Sequence, residues 1–310
     1  MSGRVLHTGQ VIVDIAVMVE AVPEPGGDVF GEYAGMHVGG GYNVLYAIRR
    51  TEVEALYAGT MGAGPFAEVA EKGLAAIGVE HVGTTAESDI GFCVAVTDAT
   101  AERTFISTRG AETHQPLDAF DHLDLRADDV LYISGYSLLH EDNRRALVRL
   151  AQRLGAGTCR TVLDVSPVVD VIPLETLEAM QQLAPLWSVN EREAAILLRR
   201  LELGGEGLDS EGAARRLADR LGRVLVRVGP GGAWFADGGS VTHVPTIEVT
   251  AIDTNGAGDA HCGILCAGMA RGDDMLTALR RANVAGALST TVIGPASCPT
   301  EAEIDAALGA

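Results

Sequence analysis

Seven consecutive residues, Asp253-Thr254-Asn255-Gly256-Ala257-Gly258-Asp259, carry the chemistry that is easiest to read in this chain. Upstream, Val244-Pro-Thr-Ile-Glu-Val-Thr has the composition of a strand, and downstream an apolar run from Asp259 to Arg271 predicts a helix. Small residues at a helix N-terminus leave backbone N–H groups unpaired at the positive end of the helix dipole. Such a turn suits a phosphate. Asp259 falls in the first turn, where a carboxylate can take a proton from a hydroxyl lying against that phosphate. Gly256, Ala257, Gly258 and Asp259 therefore have the residue types for phosphoryl transfer to an alcohol. The simpler alternative is a glycine-rich helix start with an ordinary N-terminal carboxylate.

The run closely resembles the D-T-x-G-A-G-D signature of the ribokinase-like sugar kinases (PfkB family), and the resemblance extends over nearly the whole chain in the expected order. That resemblance implies roles for further residues along the chain. Asp14, in Gly9-Gln-Val-Ile-Val-Asp14, matches the aspartate that grips sugar hydroxyls, for which a carboxylate is a good bidentate partner. In Val38-Gly39-Gly40-Gly41-Tyr42-Asn43, aligned on Asn43, Gly39, Gly41 and Asn43 match the sugar-binding loop, Gly40 lies between them, and Val38 replaces the first glycine. Arg109, in Ser-Thr-Arg-Gly-Ala, could reach a substrate anion, with a plain surface arginine as the alternative.

In the same family Asn190 and Glu193 would form the N-x-x-E that organises Mg²⁺ and phosphates, largely through water. A helix start with acidic first-turn residues is the alternative. Arg227-Val-Gly229-Pro-Gly-Gly232 resembles the T-x-G-x-x-G nucleotide loop with Arg227 in place of threonine, where it could touch a nucleotide phosphate. Asn283 matches a position lining the adenine pocket. Asp253 and Asn255 match positions where some members bind a monovalent cation such as K⁺, completed by a late loop near 294–297 that is slightly short here. His261 replaces the usual phenylalanine and is expected to pack against the substrate side.

The elements that must position these residues alternate between strand and helix. Apolar runs at Val5–Gly9, Ala55–Gly59, Val130–Gly135, Thr161–Asp164, Leu186–Asn190 and Val224–Gly229 predict strands, with Gln10–Asp14 in the loop after the first. Helices are expected at 44–50, 65–77, 142–154, 191–201, 210–221, 259–271 and 274–292, the last two closing the chain. Alternation of this kind implies an α/β fold with a mostly parallel central sheet and helices on both faces. Residues 15–37 and a hairpin at 90–108 break the rhythm and are expected to form a small β lid. No linker divides the chain, so residues 1–310 are expected to be one ribokinase-like kinase domain.

Bulk properties exclude several classes. A net charge of −19 argues against nucleic acid and anionic membrane surfaces as partners, though not against ATP, since a local amide nest can hold phosphate. The only lysine, Lys72, precedes Gly73 in a helical stretch, which removes Walker A kinases and lysine Schiff-base enzymes. Five cysteines without a C-x-x-C pair read as buried thiols, and with no signal peptide they suggest the cytoplasm. The apolar stretch 11–22 is interrupted by Asp14 and Glu20 and is too short to span a bilayer.

Together these readings predict an ATP- and Mg²⁺-dependent kinase acting on a primary hydroxyl of a small sugar, with Asp259 as general base. Two alternatives stand beside it. One is a nucleoside kinase on the same fold, motivated by Val38 and by Tyr42 as a base-stacking ring. The other is a regulator that binds sugar or nucleotide without catalysis. A homodimer through the lid is expected, because an exposed sheet face tends to find a partner.

Overall fold

The computed structural model describes residues 3–100 and 102–309. In chain order its strands are β1 (Val5–His7), β2 (Val11–Met18), β3 (Glu32–Gly40), β4 (Ala55–Tyr57), β5 (Glu80–His81), β6 (Phe92–Thr97), β7 (Arg103–Ser107), β8 (Val130–Ser134), β9 (Arg160–Asp164), β10 (Leu186–Asn190), β11 (Arg223–Arg227), β12 (Ala233–Asp237) and β13 (Ser240–Val244). Nine of them form one sheet in the order β13-β12-β11-β10-β9-β8-β1-β4-β5, parallel except for the β11–β12–β13 meander at one edge. The other four form a separate sheet, β3-β2-β6-β7.

The large sheet is buried on both faces, so its strands read as unbroken apolar runs whose alternate residues enter opposite cores. Val5, Tyr57, Val130, Tyr132 and Val162 point into one core. There they meet helices α1 (Tyr42–Arg49) and α2 (Pro65–Ala76), and further along the chain α8 (Ala257–Arg271), α9 (Met275–Ser289) and α10 (Glu301–Leu308). Leu6, Leu56, Leu131, Ile133 and Leu163 point into the other. That core is closed by α3 (Gly135–Leu139), α4 (Glu141–Leu154), α5 (Leu174–Met180), α6 (Glu191–Arg200) and α7 (Ser210–Leu221).

Helix α8 is buried all round from Ala260 to Ala270, as its uniformly apolar sequence requires. Truncating Leu265, which is fully buried, to alanine is worth about 2–5 kcal/mol by analogy with other cores. No helix among the described residues is long and apolar enough to cross a membrane.

Three element expectations change. Residues 245–250 form no strand: β13 ends at Val244, and the chain runs irregularly from there to the α8 turn. Val11–Asp14 belongs to β2 rather than to a loop, because its residues pair with β3 on one side and, from Val13, with β6 on the other. The chain also does not close on two helices. Thr300 and Glu303 form a capping box that starts α10, and Ile304 anchors it in the core.

Candidate functional site

The first turn of α8 forms as it does because Gly256 takes the left-handed conformation (φ 77°) as its N-cap. A side chain there would also collide with the Pro295 carbonyl, so only glycine fits. Among the described residues the N–H groups of Gly256 and Gly258 have no protein acceptor, while that of Ala257 leans on the Thr254 carbonyl at 3.3 Å. A Cβ on Gly258 would lie 2.9 Å from Arg227 Nη1 and would push on that guanidinium.

Asp259 is half-buried one residue further on. Asn43, in the first turn of α1, donates from Nδ2 to its Oδ2 at 3.1 Å, joining residues 216 apart in sequence. Desolvation raises the Asp259 pKa to about 6, and Asp164 adds to the rise; the Asn43 hydrogen bond and Arg227 pull it back. The buried Asn43 Oδ1 has no partner among the described residues.

The glycine turn before α1 explains its own composition. A side chain on Gly39 would collide with the carboxylate of Asp14, and one on Gly41 with the buried ring of His7. Gly40 is left-handed (φ 63°) beneath the Gln10 carbonyl. Asp14 thus lies against Gly39; desolvation raises its pKa, and His37, its partner across β3, opposes the rise. The half-buried Tyr42 ring packs on Tyr46, with centroids 6.2 Å apart, and beside Gly73 of α2.

Below the α8 turn lies a network that no sequence motif announces. Arg227 Nη2 is 3.0 Å from Asp164 Oδ2 and 3.5 Å from Glu193 Oε2. Its Nη1 donates to the Gly258 carbonyl at 3.4 Å, and Cys262 donates its thiol to Asp164 at 3.2 Å. Burial works against the charge on Arg227, but its neighbours, Asp164 foremost, hold it well above the usual range. Arg227 is therefore enclosed in ion pairs rather than extended toward solvent. Asn190 and Glu193 form a reciprocal capping box at the start of α6: Asn190 Oδ1 accepts from Glu193 N at 2.9 Å, and Glu193 Oε2 accepts from Asn190 N at 2.8 Å. Sequence reasoning misses Asp164 because a lone aspartate carries no motif. The available signal is its position at the C-terminal end of a buried parallel strand, where ligands gather in α/β sheets.

The other candidates sit around this centre. Gly229 opens a short turn after β11, and Gly232 closes it with φ 85°, too near the Val244 carbonyl for any side chain. Asn283 is buried and committed to the protein: Nδ2 donates to Val244 and Pro245 carbonyls, and Oδ1 meets His261 Nε2 at 3.1 Å. His261 accordingly packs toward α9, not toward the acceptor side. Asp253 Oδ1 accepts from Asn255 N, and its Oδ2 from Gly294 N and, at 3.2 Å, from Arg103 of β7. Desolvation opposes these contacts, yet together they hold its pKa below the ordinary value. Arg109 is exposed just past β7. All five cysteines are free and buried.

A carboxylate beside a phosphate-ready turn, at the C-terminal ends of parallel strands, is the arrangement of a phosphotransferase. The pfkB family carbohydrate kinase profile matches residues 3–302. The uncharacterized sugar kinase YegV of Escherichia coli (strain K12) is 29% identical, over 98% of each chain. Ribokinase from Thermotoga maritima has the same fold, with a TM-score of 0.82 at 22% identity over 99% of each chain. A putative ribokinase II from E. coli, solved with ATP and Mg²⁺, has a TM-score of 0.77 at 22% identity over 99% of each chain. With the profile covering almost every residue that the fold organises, the chain belongs to the pfkB family of carbohydrate kinases.

Proposed function

We propose that this kinase transfers the γ-phosphoryl group of ATP to a primary hydroxyl of a small sugar, with Asp259 as general base. The observation that carries the reading is the 3.1 Å hydrogen bond from Asn43 to Asp259. It joins a carboxyl with a pKa of about 6 to the glycine turn that also holds Asp14. At pH 7–8 such a group is ionised and still basic enough to accept a hydroxyl proton as attack begins.

The acceptor lies between Asp14, the Gly39-Gly40-Gly41 backbone and Asn43. Charge developing on the transferring group meets the N–H groups of Gly256, Ala257 and Gly258, each worth about 3–4 kcal/mol if it acts as an oxyanion donor does. Mg²⁺, when bound with ATP, neutralises phosphate charge and keeps most of its waters. Asn190 and Glu193 would hold those waters with the polar atoms their capping box leaves over, and the turn from Gly229 to Gly232, with Asn283 bracing its far side, would border the nucleotide. K⁺ at Asp253 and Asn255 would have to share Asp253 with Arg103. The small sheet serves as a lid that excludes water from the transfer. Its exposed Tyr33, Met36 and Ile106 support a homodimer through this sheet. Five free thiols accord with the cytoplasm.

ADP release from Mg·ATP across pentoses, hexoses, sugar acids, sugar phosphates and nucleosides tests this reading. Release with a sugar-class acceptor is expected. A response confined to nucleosides would replace the sugar with a nucleoside. Silence from every acceptor while ATP still binds would make the protein a binding regulator.

A further inference from the structure

Three side chains have no role in the proposed transfer: Tyr136, His140 and Arg109. Tyr136 lies in α3 and His140 is its C-cap, four residues on, so the two share a face. Tyr136 is 46% exposed. Its hydroxyl is raised by partial burial and by the charges of Asp259, Asp164 and Glu193, with Cys93 of β6 also in range. Tyr136 thus lies within electrostatic range of the carboxylates around the start of α8.

His140 is half-buried on the same face. Desolvation lowers its pKa to about 4, and Arg109 is the first charge to add to that, ahead of His114 and Arg144. His140 is thus neutral at pH 7 and close to the Arg109 guanidinium.

Arg109 follows β7, whose alternate residues share a face. Arg103 crosses to Asp253, so the phase Arg103, Phe105, Ser107 faces the cleft, and Arg109 lies two residues past the end of that row. Ser107 pairs with Cys93, which pairs with Asp14, so Arg109 stands beside the row that starts at the sugar-gripping candidate. Among the described residues Arg109 has no ion-pair or hydrogen-bond partner, and two carboxylates of the neighbouring segments are engaged elsewhere. Asp142 meets His114 at 3.0 Å, and Glu112 accepts from the N–H groups of Gly91 and Gly110. A guanidinium without a carboxylate partner, with His114 and Arg144 also acting on the same histidine, can attract an anion.

We infer that the acceptor is itself anionic: a small polyol bearing a carboxylate or phosphate away from the hydroxyl to be phosphorylated, gripped by Arg109 with Tyr136 and His140 as the adjoining wall. Arginine's planar fork suits either oxyanion. The inference rests on the proposed kinase activity.

The test is kcat/KM with Mg·ATP for neutral sugars, aldonic acids and sugar monophosphates of matched carbon number. It uses wild type, Arg109→Gln and Arg109→Lys, with thermal melts confirming the fold. Wild type is expected to prefer one anionic set over the neutral set by at least tenfold, and the preferred set tells carboxylate from phosphate. Arg109→Gln should cut that preference about tenfold or more, mainly through KM, and Arg109→Lys should restore part of it. A preference for neutral sugars, or an Arg109→Gln loss equal for neutral and anionic acceptors, overturns the inference and leaves the kinase reading standing. Absence of phosphorylation in all three sets overturns the kinase reading and this inference with it.

Discussion

At Asp259 desolvation and a single hydrogen bond pull in opposite directions, and the balance is measurable. The free-enzyme profile of kcat/KM should show an acid limb near pH 6, where the base becomes ionised. Stability should run the other way. A carboxyl whose folded pKa lies above its unfolded value of about 3.9 contributes stability below that value and loses it as pH rises through the folded pKa. Asp259→Asn should therefore be more stable than wild type at pH 8, by about 1 kcal/mol after discounting for partial exposure, with the gain gone below pH 4.

Arg227 poses the opposite case. Its side chain is 14% exposed and faces two buried carboxylates, so Arg227→Met should cost about 3–5 kcal/mol at pH 8 in chemical denaturation. The loss should shrink toward pH 5, where the abandoned Glu193, whose pKa burial already raises, can take a proton. A change below 1 kcal/mol would mean that the network is not coupled as its geometry implies. The sequence exposes Arg227 only as a replacement for threonine in a loop motif. Its partner Asp164, 63 residues earlier, becomes visible only when the strand order sets β9 beside β10 and β10 beside β11.

Among the elements, the small sheet and the α8 turn meet through one ion pair, Arg103 to Asp253 at 3.2 Å. At 38% and 10% exposure, such a pair adds little to stability. Arg103→Ala should leave unfolding within about 0.5 kcal/mol of wild type. If the sheet acts as a lid, the same variant should raise ATP hydrolysis relative to acceptor phosphorylation several-fold; an unchanged ratio would remove that role from the contact. Long elements with strong periodicity, such as Ser210–Leu221, are legible to the residue, because one apolar face and a capping Asp209 define them locally. Val11–Asp14 is not, since its strand character depends on pairing with β3 and β6, which lie far along the chain. Asn283 and His261 are visible singly, but their mutual bond depends on how α8 packs on α9.

For the whole molecule, the proposed dimer through the small sheet rests on exposed apolar side chains. Phe30 (96% exposed), Tyr33 (67%) and Ile106 (62%) lie on that sheet or its connecting loop. Sedimentation should give about twice the 32.3 kDa chain mass, and the Tyr33→Asp, Ile106→Asp double variant should sediment as a monomer. A monomeric wild type at micromolar concentration would leave those side chains to another purpose.

Everything proposed for this kinase converges on the proton that Asp259 receives. The decisive measurement is turnover of Asp259→Asn beside wild type at pH 8, with the best acceptor found and ATP affinity measured in parallel. A general base at this position predicts a fall of at least ~100-fold with ATP binding largely retained. Turnover close to wild type would contradict it and return Asp259 to the role of an ordinary carboxylate at a helix start.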